Sequence, residues 1–428
     1  MLRSGFLKSF ELTPELPGDK SITHRALILG GLAHGETTVL DANSGADCRA
    51  TLTALKQLGV HITEVDARTI RLAGMSGGFV SPQGPLDLGN SGTGLRLLLG
   101  ALAAQPFSVT LTGDASLQRR PVERVLAPLR AMGATATAEN DRPPVTLTGG
   151  RLHGVDHDLD VPSAQVKSAL LLAGVQARGK TRIGGIAGTR DHTERLLPLF
   201  GAQLTVSETW VATRGPSKLT GTTIQVPRDI SAGVFYLAAA AIRPGARVTL
   251  EQIGLNPTRI KVLQAMKSMG LQMDATPASR QSTEPFGTVV ATGGPLRGIH
   301  LSGPDIPYLI DELPALAVMA AFATGRTTIR GAAELRVKES NRLEAMAEGL
   351  NAIGANVTLE PDGWTIEGSA GEPLSGGNVR SRGDHRIAMA LLMAGLHCRN
   401  GVEITDEPLI ETSDPYFSAN LARLLGEA

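Results

Sequence analysis

Pro162-Ser163-Ala164-Gln165-Val166-Lys167 leads directly into Ala169-Leu170-Leu171-Leu172-Ala173. A polar entrance is followed by a run with no polar face. A helix that is apolar all round is predicted to be buried. Its first N–H groups then lack intrahelical partners, and its positive dipole end faces the entrance. Five further stretches repeat this pattern. Their entrances are Pro17-Gly18-Asp19-Lys20-Ser21, Gly89-Asn90-Ser91-Gly92-Thr93-Gly94, Pro227-Arg228-Asp229-Ile230-Ser231, Ile310-Asp311-Glu312-Leu313-Pro314 and Arg382-Gly383-Asp384-His385-Arg386. The apolar runs that follow are 26–29, 97–99, 234–241, 315–323 and 387–396. Six such ends, several bearing Lys or Arg, predict a site for a small, highly anionic molecule.

A second type of helix alternates with the first and ends in glycine. It closes at Leu58-Gly59, Met132-Gly133, Phe200-Gly201, Met269-Gly270, Ile353-Gly354 and Gly426. Glycine just past the last apolar residue is a helix C-cap signal. Strand-like runs follow five of these glycines, among them Val60-His61-Ile62-Thr63, Leu204-Thr205-Val206 and Val357-Thr358-Leu359. Thr135-Ala136-Thr137 is the weakest, because alanine is a poor strand former. One more strand, such as Thr37-Thr38-Val39-Leu40 or Val248-Thr249-Leu250, lies between the two helices. The unit reads helix–strand–helix–strand–strand, about 70 residues long, which exceeds the usual solenoid period. It therefore predicts six small α/β subdomains. The sixth lacks its last strands before Ala428, and the N-terminal segment Leu7 to Leu16 is expected to supply one. The predicted domains are residues 1–17 with 228–428, and residues 18–227, each holding three units.

Lys plus Arg is 41 and Asp plus Glu is 41, so the chain carries no net charge. A general polyanion binder is disfavoured, and any anion site must be local. Aromatic residues make up only 3%, too few for base-stacking platforms. Cys48 and Cys398 have no CxxC partner, so no zinc or redox motif is expected, and both read as reduced, buried thiols. Met1 to Ser9 lacks the apolar core of a signal peptide, and the apolar helices are too short to span a bilayer. The expectation is a cytoplasmic protein that engages neither nucleic acid nor membrane.

Five longer motifs are more specific. Pro17-Gly18-Asp19-Lys20-Ser21-Ile22-Thr23-His24-Arg25, Gly89-Asn90-Ser91-Gly92-Thr93, Gln118-Arg119-Arg120-Pro121, Arg336-Val337-Lys338-Glu339-Ser340-Asn341-Arg342-Leu343 and Asp384-His385-Arg386-Ile387-Ala388-Met389 resemble those of the EPSP synthases, the 3-phosphoshikimate 1-carboxyvinyltransferases. The similarity runs from Leu7 to Phe417. Ser163 to Ser168 and Thr189 to Thr193 look most like the second sequence class of that family. The resemblance implies an inside-out α/β fold: two globular domains, each of three βαβαββ subdomains with buried apolar helices, and an active site in the cleft between them. It implies transfer of the enolpyruvyl group of phosphoenolpyruvate to the 5-hydroxyl of shikimate 3-phosphate, with no cofactor or metal. It also implies a monomer, and glyphosate as an inhibitor, since the family leaves room for that molecule when glycine stands at the position of Gly92.

By the same resemblance, Lys20, Ser21, Arg25, Ser163, Ala164, Gln165, Arg190, Asp311 and Lys338 hold shikimate 3-phosphate. Lys20, Gly92, Arg120, Gln165, Arg342 and Arg386 hold phosphoenolpyruvate. Arginine suits this work because its planar fork pairs bidentately with carboxylate or phosphate. Asp311, Glu339 and Lys20 are the catalytic candidates, Asp311 for the hydroxyl proton and Glu339 for the proton at the methylene carbon. Glu339 lies beside Lys338 and one helical turn before Arg342, so the three are expected to address one pocket. The plainer reading of Glu339 is an i,i+3 ion pair with Arg342. His24 is expected to be structural. Glu411 stands where many relatives carry Lys, and is expected to point away or to pair with a cation. The near rival is a UDP-N-acetylglucosamine enolpyruvyl transferase, which would show Lys-Asn at the first motif and a reactive loop cysteine; here the pair is Lys20-Ser21. A non-catalytic phosphate or RNA-end binding module is the remaining alternative, and it would favour a positive net charge.

Overall fold

The computed structural model describes residues 2–278 and 283–426. The chain divides into two compact units, Gly18–Val226, and Met1–Pro17 with Pro227–Ala428. Each has its own continuous apolar core. Among the described residues, no helix is long and apolar enough to cross a membrane.

In Gly18–Val226 the helices are α1 (Lys20–Leu32), α2 (Ala46–Gln57), α3 (Gly92–Leu102), α4 (Glu123–Ala131), α5 (Ala164–Gly174) and α6 (His192–Leu199). The apolar helices α1, α3 and α5 are buried along nearly their whole length, because no face of them is polar enough to meet water. The alternating helices α2, α4 and α6 bury one face only. Each helix pair accompanies a four-stranded sheet. In the first, His34–Leu40 pairs antiparallel with Ile70–Met75, which pairs in turn with His61–Glu64. Its parallel neighbour is Thr223–Gln225, from the far end of the unit. The other two sheets repeat this order, and the weak alanine-rich segment does form a strand, Thr135–Glu139, held against Arg142–Thr148. Pairing to a neighbour outweighs its low intrinsic propensity.

The second unit contains α7 (Ile230–Ala241), α8 (Lys261–Met269), α9 (Ile306–Leu309), α10 (Leu313–Phe322), α11 (Arg342–Ala352), α12 (His385–Gly395) and α13 (Phe417–Leu425). Here α7, α10 and α12 are the buried apolar helices. Two sheets have four strands and the third has three. The N-terminal residues complete two of the three, but not as the sequence suggested. Glu11–Leu12 lies parallel to Arg247–Gly254 and so completes the fourth subdomain, not the sixth. The sixth receives Leu2–Ser4, antiparallel to Val402–Ile404. All six repeat-ending glycines, Gly59, Gly133, Gly201, Gly270, Gly354 and Gly426, have φ between 71° and 115°. That left-handed region closes a helix without a Cβ penalty, which is why glycine marks the repeat.

One buried acid in this unit is not explained by the repeat. Asp414, 1% exposed, accepts from the Tyr416 N–H at 3.0 Å, while its other oxygen, Oδ2, lies buried near Tyr236. The Tyr236 hydroxyl accepts from Asn420 Nδ2 at 3.0 Å. Burial, with the Asp229 charge nearby, pushes the Asp414 carboxyl up to about 7. A carboxyl raised from its usual value binds its proton more tightly in the folded chain. Its stabilising effect is complete below the unfolded pKa, near 4, and is lost as pH rises towards 7. Asp414→Asn, which cannot ionise, is therefore expected to raise the thermal midpoint over the parent protein clearly at pH 8 and little at pH 4.5. Equal gains at both pH values in a melting series would show that Asp414 does not titrate with folding.

Candidate active site

The N-termini of α1, α3 and α5 are tied to one another by side chains. Each is capped: Asp19 accepts from Ile22 N at 3.0 Å, Ser91 from Gly94 N at 3.0 Å and Ser163 from Val166 N at 3.4 Å. His24, fully buried in α1, bridges Thr51 Oγ1 on α2 at 2.9 Å and Ser91 Oγ at 3.4 Å. Burial and the charges of Lys20 and Arg25 lower its pKa to about 3, so the imidazole is neutral at physiological pH and serves as a bridge. Gln165 Nε2 donates to Thr93 Oγ1 at 2.9 Å, joining α5 to α3.

Lys20, Ser21, Arg25, Gly92, Arg120, Ser163, Ala164, Gln165 and Arg190 all lie within Gly18–Val226. Arg25 is 2% exposed, its guanidinium donating from Nε to Thr193 Oγ1 (2.7 Å), from Nη2 to Ser168 Oγ (2.7 Å) and from Nη1 to the Ser21 carbonyl (2.8 Å). Arg120 Nη2 donates to Asn90 Oδ1 at 2.6 Å and to Ser116 Oγ at 3.2 Å. Lys20 pairs with Asp47 Oδ2 at 2.8 Å.

Three members of this cluster were not singled out from the sequence as site residues. Asp47, on α2, carried no local signal, since it meets Lys20 only through tertiary packing. Arg96, 4% exposed, was hidden inside an apolar run; it donates to the Gly92 carbonyl at 3.1 Å and the Pro121 carbonyl at 2.8 Å, bracing the Arg120 segment. Lys167, read as part of a cationic entrance, turns inward to the buried Glu194 at 2.5 Å.

The other unit assembles Asp311, Lys338, Glu339, Arg342 and Arg386. Segment 338–341 is not helical: Asn341 caps Glu344 N, so α11 starts only at Arg342. Glu339 nevertheless reaches Arg342 Nη2 at 2.5 Å, which makes the i,i+3 ion pair real without a shared helical face. Arg342, 1% exposed, also donates from Nε to Asp384 Oδ2 at 2.8 Å, from Nη2 to Asp384 Oδ1 at 3.4 Å and from Nη1 to Asp311 Oδ1 at 3.4 Å. Burial opposes its charge, but Asp384, Glu339 and Asp311 hold the guanidinium firmly protonated, its pKa above the ordinary arginine value. Lys338 Nζ lies 3.6 Å from Asp311 and 3.5 Å from Glu334. Arg386 Nη1 donates to the Asp311 carbonyl at 2.7 Å and lies 3.7 Å from the buried Glu312, which accepts from Ser231 Oγ. Asp384 was quoted in a motif but given no role. It is fully buried and does two jobs, capping α12 through Arg386 N at 3.0 Å and gripping Arg342. Glu411 is exposed in a 3-10 turn, Ile410–Thr412.

Each cluster has the chemistry of an anion site, and the second adds carboxylates fit for proton transfer. The family model of EPSP synthase (3-phosphoshikimate 1-carboxyvinyltransferase) matches residues 10–421. A protein of that name from Acidithiobacillus ferrooxidans is 48% identical over 405 residues, 94% of this chain and 93% of its own length. Another, from Akkermansia muciniphila, is 44% identical over 99% of this chain and 100% of its own. The solved EPSP synthase of Acinetobacter baumannii superposes with a TM-score of 0.87 at 42% identity, over 99% of this chain and 97% of that one. Fold, length and motifs agree, and this chain belongs to the EPSP synthase family.

Proposed function

We propose that the two clusters perform the reaction the family is named for: transfer of the enolpyruvyl group of phosphoenolpyruvate to the 5-hydroxyl of shikimate 3-phosphate. The observation that carries this reading is the pair Asp311 and Glu339, two carboxylates held against one buried guanidinium, Arg342. A simple anion receptor gains nothing from acids there, since each repels the ligand. An addition–elimination needs both. Asp311 takes the proton of the attacking hydroxyl, whose oxygen bonds to the enol carbon. Glu339 delivers a proton to the methylene carbon, giving a tetrahedral intermediate, then recovers one from the methyl group as the C–O bond to phosphate breaks. No electron leaves or enters, so the reaction requires no redox cofactor.

Substrate binding is assigned to Lys20, Ser21, Arg25, Ser163, Ala164, Gln165, Arg190, Asp311 and Lys338 for shikimate 3-phosphate. Lys20, Gly92, Arg120, Gln165, Arg342 and Arg386 are assigned to phosphoenolpyruvate. The cluster in Gly18–Val226 supports this: its helix ends offer N–H groups, and Arg25 and Arg120 are already fixed by neutral partners. Both clusters come from one chain, so the reading needs only a monomer, and we place it in the cytoplasm. The rival acceptor, UDP-N-acetylglucosamine, finds less support. The Cys48 thiol is buried and aimed at the Lys20 carbonyl, 3.8 Å away, and Cys398 is buried with its pKa pushed up to about 12 by desolvation.

Phosphate release should require phosphoenolpyruvate and shikimate 3-phosphate together; release with UDP-N-acetylglucosamine in place of the shikimate would reverse the assignment. Glu339→Gln should lower kcat by about 10²–10⁴-fold with KM values little altered, as expected for a group acting in the transition state. A near-normal kcat would remove Glu339 from the proton relay. At Gly92 an added Cβ would lie 2.8 Å from Arg96 Nη1 and 2.9 Å from Arg120 Nη1. Both neighbours are flexible side-chain ends, so Gly92→Ala should fold while displacing the Arg120 guanidinium and adding a methyl at the mouth of α3. The inhibition constant for glyphosate should then rise more than the KM for phosphoenolpyruvate; equal changes in the two would reject the steric account.

A further inference from the structure

Lys167 is the most deeply buried cation of Gly18–Val226. It is 1% exposed, and its ammonium is spent on three partners inside the fold. It donates to Thr189 Oγ1 at 2.7 Å and to the Arg190 carbonyl at 2.9 Å, and it pairs with Glu194 Oε1 at 2.5 Å. An ammonium has three N–H donors, so none remains for a substrate.

The partners belong to two different devices. Thr189 and Arg190 end a tight loop in which Gly185 and Gly188 have φ of 68° and 76°, and Thr189 folds back onto the Ile186 carbonyl at 2.7 Å. That loop carries the Arg190 side chain. Glu194 lies in α6, beside Thr193. Thr193 Oγ1 accepts from Arg25 Nε and donates to Ser168 Oγ at 2.7 Å; Ser168 accepts from Arg25 Nη2 and donates to the Ala164 carbonyl at 2.6 Å. Residues 167 and 168 of α5 therefore meet 194 and 193 of α6 in adjacent contacts. The first is an ion pair and the second is a hydroxyl relay under Arg25.

We infer that Lys167 is a positioning residue for shikimate 3-phosphate binding, its ammonium fixing the backbone at Arg190 and, with Glu194, the α5–α6 contact on which the Arg25 guanidinium lies. The inference rests on the assignment of Arg25 and Arg190 to that substrate. A buried ion pair alone is a poor reason for the arrangement. Two charges must be stripped of water to form it, and apolar residues of similar volume often replace such pairs at no cost in stability. The hydrogen bonds to Thr189 and the Arg190 carbonyl have no such substitute. They set the geometry of a loop rather than the stability of a core, and displacements of about 1 Å in a binding group cost up to two orders of magnitude.

The experiment follows from that separation. The double variant Lys167→Met/Glu194→Met removes both charges and leaves no unpaired ion. Its thermal midpoint should equal or exceed that of the parent. Its dissociation constant and KM for shikimate 3-phosphate should rise roughly tenfold to a hundredfold, while the KM for phosphoenolpyruvate stays within about twofold. A folded double variant with unchanged affinity for shikimate 3-phosphate would overturn the inference. Thr189→Val tests the same idea without touching the ion pair and should raise that dissociation constant several-fold. If the double variant does not fold, an unchanged value in Thr189→Val overturns the inference by itself. A parent protein that releases no phosphate with both substrates would instead sink the functional reading beneath it.

Discussion

Everything at the two clusters depends on one constraint: a helix with no polar face must be buried, yet its N-terminus cannot be left unsatisfied. The chain solves this five times with short side chains at the helix entrances, and at α10 with Pro314 in the first turn, where the missing N–H leaves one donor fewer to satisfy. The solutions differ between the units in a way that sets their chemistry. In Gly18–Val226 two of the three caps are the neutral Ser91 and Ser163. The cations gathered there, Lys20, Arg25, Arg96, Arg120, Lys167 and Arg190, outnumber the acids Asp19, Asp47 and Glu194. In the other unit Asp229 and Asp384 cap their helices and Glu312 stands at the head of α10. With Asp311, Glu334 and Glu339, these acids pair directly with Arg259, Lys338, Arg342 and Arg386. The first set can compensate a doubly charged phosphate. The second must share its cations between its own carboxylates and a ligand.

That sharing is most acute at Arg342. Its contacts to Asp384, Glu339 and Asp311 use four of the five N–H groups of a guanidinium. Asp384 holds it from a fully buried position and also caps α12, so it is the fixed partner. Glu339 and Asp311 are each partly exposed, with one contact apiece to Arg342. Under the proposed reaction, an anion arriving at Arg342 would compete with the two carboxylates assigned to proton transfer. Under that proposal the binding and proton-transfer roles meet at one side chain, Arg342.

The repeat was legible because its signals are local. A helix apolar on every side, a glycine in the left-handed region at a helix end and a strand-forming run are each properties of fewer than a dozen consecutive residues, and the structure uses all of them. The cationic residues at the helix entrances were visible for the same reason. What escaped was every feature decided by a partner from another element. Lys167 looks like an entrance cation until Glu194 is placed opposite it. Asp47 is an ordinary helix acid until α2 docks beside α1. Segment 338–341 looked helical by spacing, but Asn341, as a cap, competes for the helix start and wins.

The one misplaced strand shows how the two units differ in construction. Gly18–Val226 closes on itself: Thr223–Gln225, at its end, pairs with His34–Leu40, near its beginning, and all three of its sheets are built from this one continuous stretch. The other unit cannot be built that way. Leu12 must find Val248, and Leu2 must find Ile404, across the whole of the intervening segment. Those pairings give it contacts of far larger sequence separation, and loop closure must be met before such contacts return any stability. A period read along the sequence assigns each strand to the nearest incomplete unit. Here the pairing is instead decided by which open sheet edge the returning chain presents. Residues 11–12 pair with Arg247–Gly254, the strand that follows α7 after the chain re-enters the unit at Pro227. Leu2–Ser4 pairs with the sixth subdomain, beside Val402–Ile404, where the three-stranded sheet would otherwise have only two.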